Sequence, residues 1–119
     1  MPNKFLFDGR MAAAAEVRTT ANAKVCKFRL IRNEHTGTND DGSRRDPRTV
    51  AVNFTAFGSK GEVIAQHVRK GDQLFVEARI ENNNYTDGDG REHYEQSFIV
   101  QDFDFGAPGE ATRAVIANR

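Results

Sequence analysis

A side-chain period of two, recurring in separate stretches, leaves this chain few folds other than an all-β one. From Val25 to Arg32, Cys26, Phe28 and Leu30 fall on one face and Lys27, Arg29 and Ile31 on the other. From Val50 to Phe57, Val50, Val52, Phe54 and Ala56 oppose Ala51, Asn53, Thr55 and Phe57. From Gln73 to Glu81, Leu74, Val76, Ala78 and Ile80 oppose Gln73, Phe75, Glu77, Arg79 and Glu81. Residues i and i+2 share one face of a pleated strand, so each stretch predicts a strand with one buried side. Phe5-Leu6-Phe7 reads as a short opening strand ended by Asp8-Gly9, and a last strand is expected from about Tyr94 to Val100, extending toward Phe105. Helical spacing occurs once. Glu62 to Val68 has apolar residues at 63, 64 and 68, with Arg69-Lys70 in its last turn and Gly71 as the stop.

Five strands with one short helix between the third and fourth is the order of the OB-fold, a small Greek-key barrel. A length of 119 residues suits one such domain. Residues 1–106 are expected to form it, and residues 107–119, after the break at Ala107-Pro108-Gly109, a short tail that is frayed or weakly helical. Asn33 to Arg48 mixes Gly37, Gly42 and Pro47 with charges of both signs and is expected to be a polar loop. Asn82 to Gly90 is rich in turn formers and reads as the tip of a long hairpin. No apolar run of about eighteen residues is present, so no membrane-spanning helix is expected. The start of the chain lacks the pattern of a secretory signal, and the single cysteine, Cys26, fits a reducing compartment and a buried core position.

The residues on the polar sides of the strands carry the functional signal. If Val50, Val52, Phe54 and Ala56 face the core, Phe57 points outward, as does Phe75 beside Leu74 and Val76. Tyr85 shares that side if pairing continues through the asparagine run. An exposed aromatic ring among polar neighbours calls for something to cover it. A subunit interface or the core explains Phe75 best, whereas Phe57 and Tyr85 suit bases, which stack on aromatic rings for about 1–3 kcal/mol each whatever their identity. Lys27, Arg29 and Arg79 lie on the same kind of face, and Arg44, Arg45 and Arg48 lie in the polar loop, which is equally explained as a solvated, self-neutralising segment. Lys and Arg (17) balance Asp and Glu (17), so any basic track must come from the placement of charge.

Catalytic and metal chemistry finds little support. His35, His67 and His93 fall in separate segments without ligand spacing. Asp87-Gly88-Asp89-Gly90 resembles the start of a calcium loop, yet the twelfth position is Phe98 rather than glutamate, and a hairpin turn explains it better. Asp102 and Asp104 have no accompanying base, nucleophile or phosphate cradle. Gly58-Ser59-Lys60-Gly61 lacks the P-loop frame. No enzyme, cofactor, metal or small-molecule substrate is therefore expected.

The stretch from Phe57-Gly58-Ser59-Lys60 through Glu62-Val63-Ile64-Ala65 and Val68 to Ile80 resembles the central signature of bacterial single-stranded DNA-binding proteins. Tyr85-Thr86-Asp87 with Gly88-Asp89-Gly90 and Tyr94 is similar to that family's next segment, and Phe7-Asp8-Gly9-Arg10 with Glu16-Val17-Arg18 to its first strand and loop. The likeness covers roughly residues 4 to 106. It implies an OB-fold that wraps single-stranded DNA without strong sequence preference, as a homotetramer before a dimer, in replication, recombination or repair in the bacterial cytoplasm. Phe57 and Tyr85 match stacking positions. Lys27, Arg29, Arg44, Arg45, Arg48 and Arg79, with Arg18 weaker, are the basic candidates. Two positions where relatives often stack bases hold other residues here, about Thr36 and Ala51, and there is no tryptophan. The Gly-rich linker and acidic tip common in that family are not found in this chain, which implies either that the hub function is absent or that this is a specialised member such as one carried by a plasmid, phage or integrated element. The alternatives are a primosomal-type OB adaptor acting through protein contacts, and an RNA binder, because stacking platforms barely distinguish the sugar.

Oligomerisation is expected independently of that likeness. Phe75, Ile31 and Phe5 or Phe7 are candidates for more outward apolar surface than a small monomer leaves exposed.

Overall fold

A computed structural model describes residues 2–21, 23–34 and 37–117. His35 and Thr36, considered above, lie outside them. The elements are β1 (Phe5–Met11), β2 (Glu16–Thr19), β3 (Lys24–Glu34), β4 (Arg48–Phe57), α1 (Ser59–His67), β5 (Gln73–Asn82), β6 (Tyr85–Thr86), β7 (Glu92–His93), β8 (Gln96–Phe105) and α2 (Glu110–Ala117). The main sheet runs β1-β5-β8-β4-β3-β2, and β1 also pairs with β3. That second pairing closes β1, β3, β4, β8 and β5 into a five-stranded barrel. β4 and β8 pair in parallel and the other neighbours are antiparallel. With α1 between the third and fourth barrel strands, this is the expected all-β OB-fold.

The alternation sorts side chains as the sequence implies. Cys26, Phe28, Leu30, Phe54, Ala56, Leu74, Val76 and Ala78 are buried, joined by Met11, Ile64, Val68 and Val100. The Phe54 ring sits between those of Phe28, Phe5, Phe7 and Phe98, with centroids 5.5–6.3 Å away. Burial pushes the Cys26 thiol above its ordinary pKa. On β8 the inward set changes phase. Glu77 faces Asp102 but Ala78 faces Val100, so Gln101 is an extra residue. This bulge lets Val100 and Phe103, three residues apart, both pack on the core.

Four expectations need correction. β1 does not stop at Asp8-Gly9 but runs to Met11, because Gly9 is the seam where β1 meets β3. A Cβ there would come within 2.8 Å of the Ile31 carbonyl oxygen. The outward apolar residue of β1 is therefore Leu6, 71% exposed, while Phe5 and Phe7 pack against the core and Ile31 is half-buried. The helix begins three residues earlier than its apolar spacing suggests and ends at His67, with extended Val68 as its cap. Arg69 and Lys70 thus belong to the turn before β5, and Gly71 (φ +88°) shapes that turn rather than stopping the helix. Finally, Glu16–Thr19 is a strand, added to the outer edge of β3.

The tail is anchored at its root. Asp72, buried at the α1–β5 turn, accepts hydrogen bonds from the backbone N–H of Arg69 (2.8 Å) and Gly109 (2.7 Å) and from the Thr112 hydroxyl (2.7 Å). Burial alone would raise its pKa, but these donors outweigh it and hold the carboxyl below the usual range. Beyond that clasp, α2 buries none of its residues.

Candidate nucleic-acid interface

In antiparallel pairs, residues directly opposite one another share a face. The register Val25↔Phe57, Lys27↔Thr55, Arg29↔Asn53, Ile31↔Ala51 therefore defines one outer face of the β3–β4 ribbon. β2 widens it by placing Arg18 opposite Val25 and Glu16 opposite Lys27. Phe57, at the end of β4, is 49% exposed. Lys27 and Arg29 are exposed and form no ion pair among the described residues. Exposed cations without a carboxylate partner are free to meet phosphates.

Beside them lies a groove of about 500 Å³. Its floor is β3 and β4 around Lys27–Arg29 and Asn53–Thr55. Its walls are the β1–β2 loop (Ala13, Ala14) and Glu95 to Phe98 at the base of the hairpin arm. The second and third barrel strands, with the loops between strands 1 and 2 and between strands 4 and 5, form the usual oligonucleotide-binding side of an OB barrel.

The arm itself is β6 and β7, joined by a turn organised around Asp87. One carboxylate oxygen accepts the N–H groups of Asp89 (2.9 Å) and Arg91 (3.0 Å), and the other is 2.7 Å from His93 Nε2. The hairpin reading of Asp87–Gly90 is thus met, with both oxygens of the Asp87 carboxylate engaged in the turn. Tyr85, 46% exposed, stands on this arm, and its hydroxyl makes a long contact (3.4 Å) with Glu95 at the groove's edge.

The remaining basic candidates disperse. Arg48 pairs with Glu34 on the opposite face of the ribbon from Lys27 and Arg29, nine residues and about 30 Å from Phe57. Arg44 and Arg45 close a small loop, Arg44 bridging Thr38 and Arg45 Nε bonding Asn39 (3.1 Å). Arg79 lies on β5, three strands from Lys27 by way of Thr55 and Ile99, and is ion-paired to Glu81 at 2.5 Å. Ala51 is exposed on the same face as Lys27, without a ring to offer.

Sequence reasoning did not find the groove-wall residues Gln96 and Ser97 or the His93 ring beneath Tyr85. Only the latter had a readable signal: a hairpin centred on Asp89 pairs residue 85 with residue 93.

On the other side of the barrel, β1, β5 and β8 present Leu6, Asp8, Phe75, Glu77, Asp102 and Asp104 to a shallow groove of about 580 Å³. The nearby cations are engaged: Lys4 with Glu77 (3.1 Å), and Arg32 with both Asp8 and Glu34. No helix among the described residues is long and apolar enough to cross a membrane.

An OB barrel with an open basic strand face and an aromatic-bearing arm defines a class of oligonucleotide-binding domain. A sequence profile of the single-strand binding protein family matches residues 2–106, and the chain belongs to that family. It is similar to the single-stranded DNA-binding protein of Clostridium perfringens (32% identical over 105 residues, 87% of this chain and 65% of the relative). It is also similar to the Neisseria meningitidis serogroup B protein of the same name (30% over 101 residues, 84% and 57%). A third similar protein is single-stranded DNA-binding protein 2 of Listeria monocytogenes (28% over 109 residues, 91% and 66%). The chain spans less than two thirds of the length of these curated relatives.

Proposed function

We propose that residues 1–106 bind single-stranded DNA without sequence preference, stacking bases on Phe57 and Tyr85 and meeting phosphates with Lys27 and Arg29. Arg18 extends the track along β2, while Arg44, Arg45, Arg48 and Arg79 are secondary candidates that stand apart from Lys27 and Arg29. The observation that carries this reading is the pair of cations without ion-pair partners sharing one face with an exposed phenylalanine, beside a groove that leads to the Tyr85 arm. The protein works by binding, without catalysis or cofactor, protecting single strands during replication, recombination or repair in the bacterial cytoplasm. Exposed Leu6 and Phe75 support assembly through the β1–β5–β8 face; the preference for a tetramer over a dimer rests on the family likeness. Light scattering that gave a 13.3 kDa particle at micromolar concentration would refute assembly.

The test is gel-shift competition among single-stranded DNA, duplex DNA and single-stranded RNA at two salt concentrations. Single-stranded DNA should compete best, and Phe57→Ala and Tyr85→Ala should each weaken its binding by about 1–3 kcal/mol. Absence of binding at low ionic strength would end this reading. A primosomal-type adaptor is the second reading, favoured by the same Leu6–Phe75 face. A protein pulldown that survives nuclease treatment, with weak oligonucleotide affinity, would select it.

A further inference from the structure

On the hairpin arm, Tyr85 of β6 pairs with His93 of β7. Their rings are stacked, with centroids 4.8 Å apart and planes 12° from parallel. The edge of the imidazole is held by Asp87, which the turn's own N–H groups fix in place. One face of the phenol is therefore closed by His93, and the ring remains 46% exposed. A base arriving at Tyr85 would meet a ring already fixed in orientation.

We propose that His93 is a positioning residue for Tyr85: clamped by Asp87, it holds the phenol ready for a base and makes binding at the arm respond to pH. The inference rests on Tyr85 acting as a base platform. Fixing the ring in the free protein lowers the ordering cost on binding. Histidine changes charge between about pH 5 and 8, and an imidazolium beneath an aromatic face is attracted to it. Protonation also adds one positive charge to an arm that phosphates must approach.

The groups around the imidazole are few, since β6 and β7 pack chiefly on each other. Asp87 meets its edge and Tyr85 its face, and Glu95 lies at the Tyr85 hydroxyl. Arg91, Glu92 and Tyr94 adjoin it along the chain, Glu92 accepting a hydrogen bond from the Tyr94 hydroxyl. Asp89 is exposed in the turn. The His93 hydrogen bond, then the Arg91 N–H, keep the Asp87 carboxyl below its ordinary pKa. Asp87 thus stays ionised across the range in which histidine titrates.

The chain has two tyrosines and no tryptophan, so in a Tyr94→Phe background Tyr85 is the only strong fluorophore. Its emission in the free protein, titrated from about pH 8 to about pH 5.5, should follow one protonation. Adding His93→Gln should abolish that response. Binding to an oligothymidine, whose bases do not titrate in this range, should tighten with acid in the wild-type protein. His93→Gln, which keeps a donor for Asp87 but not the ring, should lack the tightening, so that wild type and variant diverge as pH falls. His93→Ala should bind about two- to tenfold more weakly throughout, with an unchanged circular dichroism spectrum. Emission that ignores pH with His93 present, or a pH profile shared by wild type and His93→Gln, overturns the inference alone. If Tyr85→Ala binds as wild type does, the platform reading falls and this inference with it.

Discussion

The two outer sides of the barrel are built from the same alternating strands and carry opposite charge. The β2–β3–β4 side shows Arg18, Lys27 and Arg29 around Phe57, and neither Lys27 nor Arg29 has an ion-pair partner among the described residues. The β1–β5–β8 side shows Asp8, Glu77, Asp102 and Asp104 around Leu6 and Phe75, and the cations beside that groove, Lys4 and Arg32, are held in ion pairs. A net charge of zero therefore describes a molecule with two poles. A polyanion would be drawn to one side and repelled from the other, so the proposed DNA binding needs no net positive charge.

The harshest way to break this contrast is to reverse the sign of the basic side. Lys27→Glu with Arg29→Glu should weaken binding of single-stranded DNA by about a hundredfold at low salt, since charged hydrogen bonds contribute about 1.5–3 kcal/mol each. The log–log slope of affinity against salt should fall by about 0.7 for each lost phosphate contact. Thermal unfolding should hardly change, because both side chains are exposed. A loss smaller than about threefold would show that the strand path avoids this face.

The second way is to ask whether the poles answer salt with opposite sign. Assembly through the acidic side brings like charges together, so it should strengthen as salt rises, while DNA binding weakens. Phe75→Asp should raise the dissociation constant of the assembly by about tenfold or more, as a polar group placed in an apolar contact costs about 1–3 kcal/mol. Sedimentation at two salt concentrations reads both effects. Assembly that weakens with salt would place the interface elsewhere.

How much of this was legible beforehand follows from which interactions are local. Period-two alternation depends only on adjacent residues, so the core faces of β3, β4 and β5, and with them outward Phe57, Lys27 and Arg29, could be read directly. β1 was cut short because Gly9 is usually a breaker. Its role as a contact point with Ile31 depends on a partner strand far along the chain. The bulge at Gln101 likewise exists only in the pairing with β5. The basic candidates fall on different faces for the same reason. Being on the polar side of some strand did not say which side of the barrel that strand would occupy, and so Arg79 and Arg48 were grouped with residues that they do not adjoin. The segregation of charge is a property of strand order, invisible to composition.

A change that touches neither pole gives a control with a smaller effect. Asp72→Asn leaves one of the clasp's donors without an acceptor and should lower stability by about 1–2 kcal/mol at neutral pH, with DNA affinity preserved. The sign of the pH dependence is set by the lowered pKa of Asp72 in the folded protein. Its contribution is complete above the ordinary aspartate value of about 4 and fades as pH falls through the folded value. Melting curves of wild type and variant should therefore converge in acid. A gap that stayed constant down to about pH 3 would mean that the clasp does not depend on the charge of Asp72.

The mildest test removes charge from the acidic pole. Glu77→Gln with Asp102→Asn should change single-stranded DNA affinity by less than about twofold at physiological salt. These groups lie across the barrel from Lys27 and Arg29, beyond a screening length of about 8 Å. At ionic strength near 0.01 M that length grows to about 30 Å, and the same substitutions should then tighten binding measurably. The salt dependence of this small effect separates two explanations of the neutral net charge. If the acids act only as a distant field, the gain vanishes on adding salt. If bound DNA runs over the β1–β5–β8 side, the gain persists at high salt and the two poles cease to be distinct surfaces.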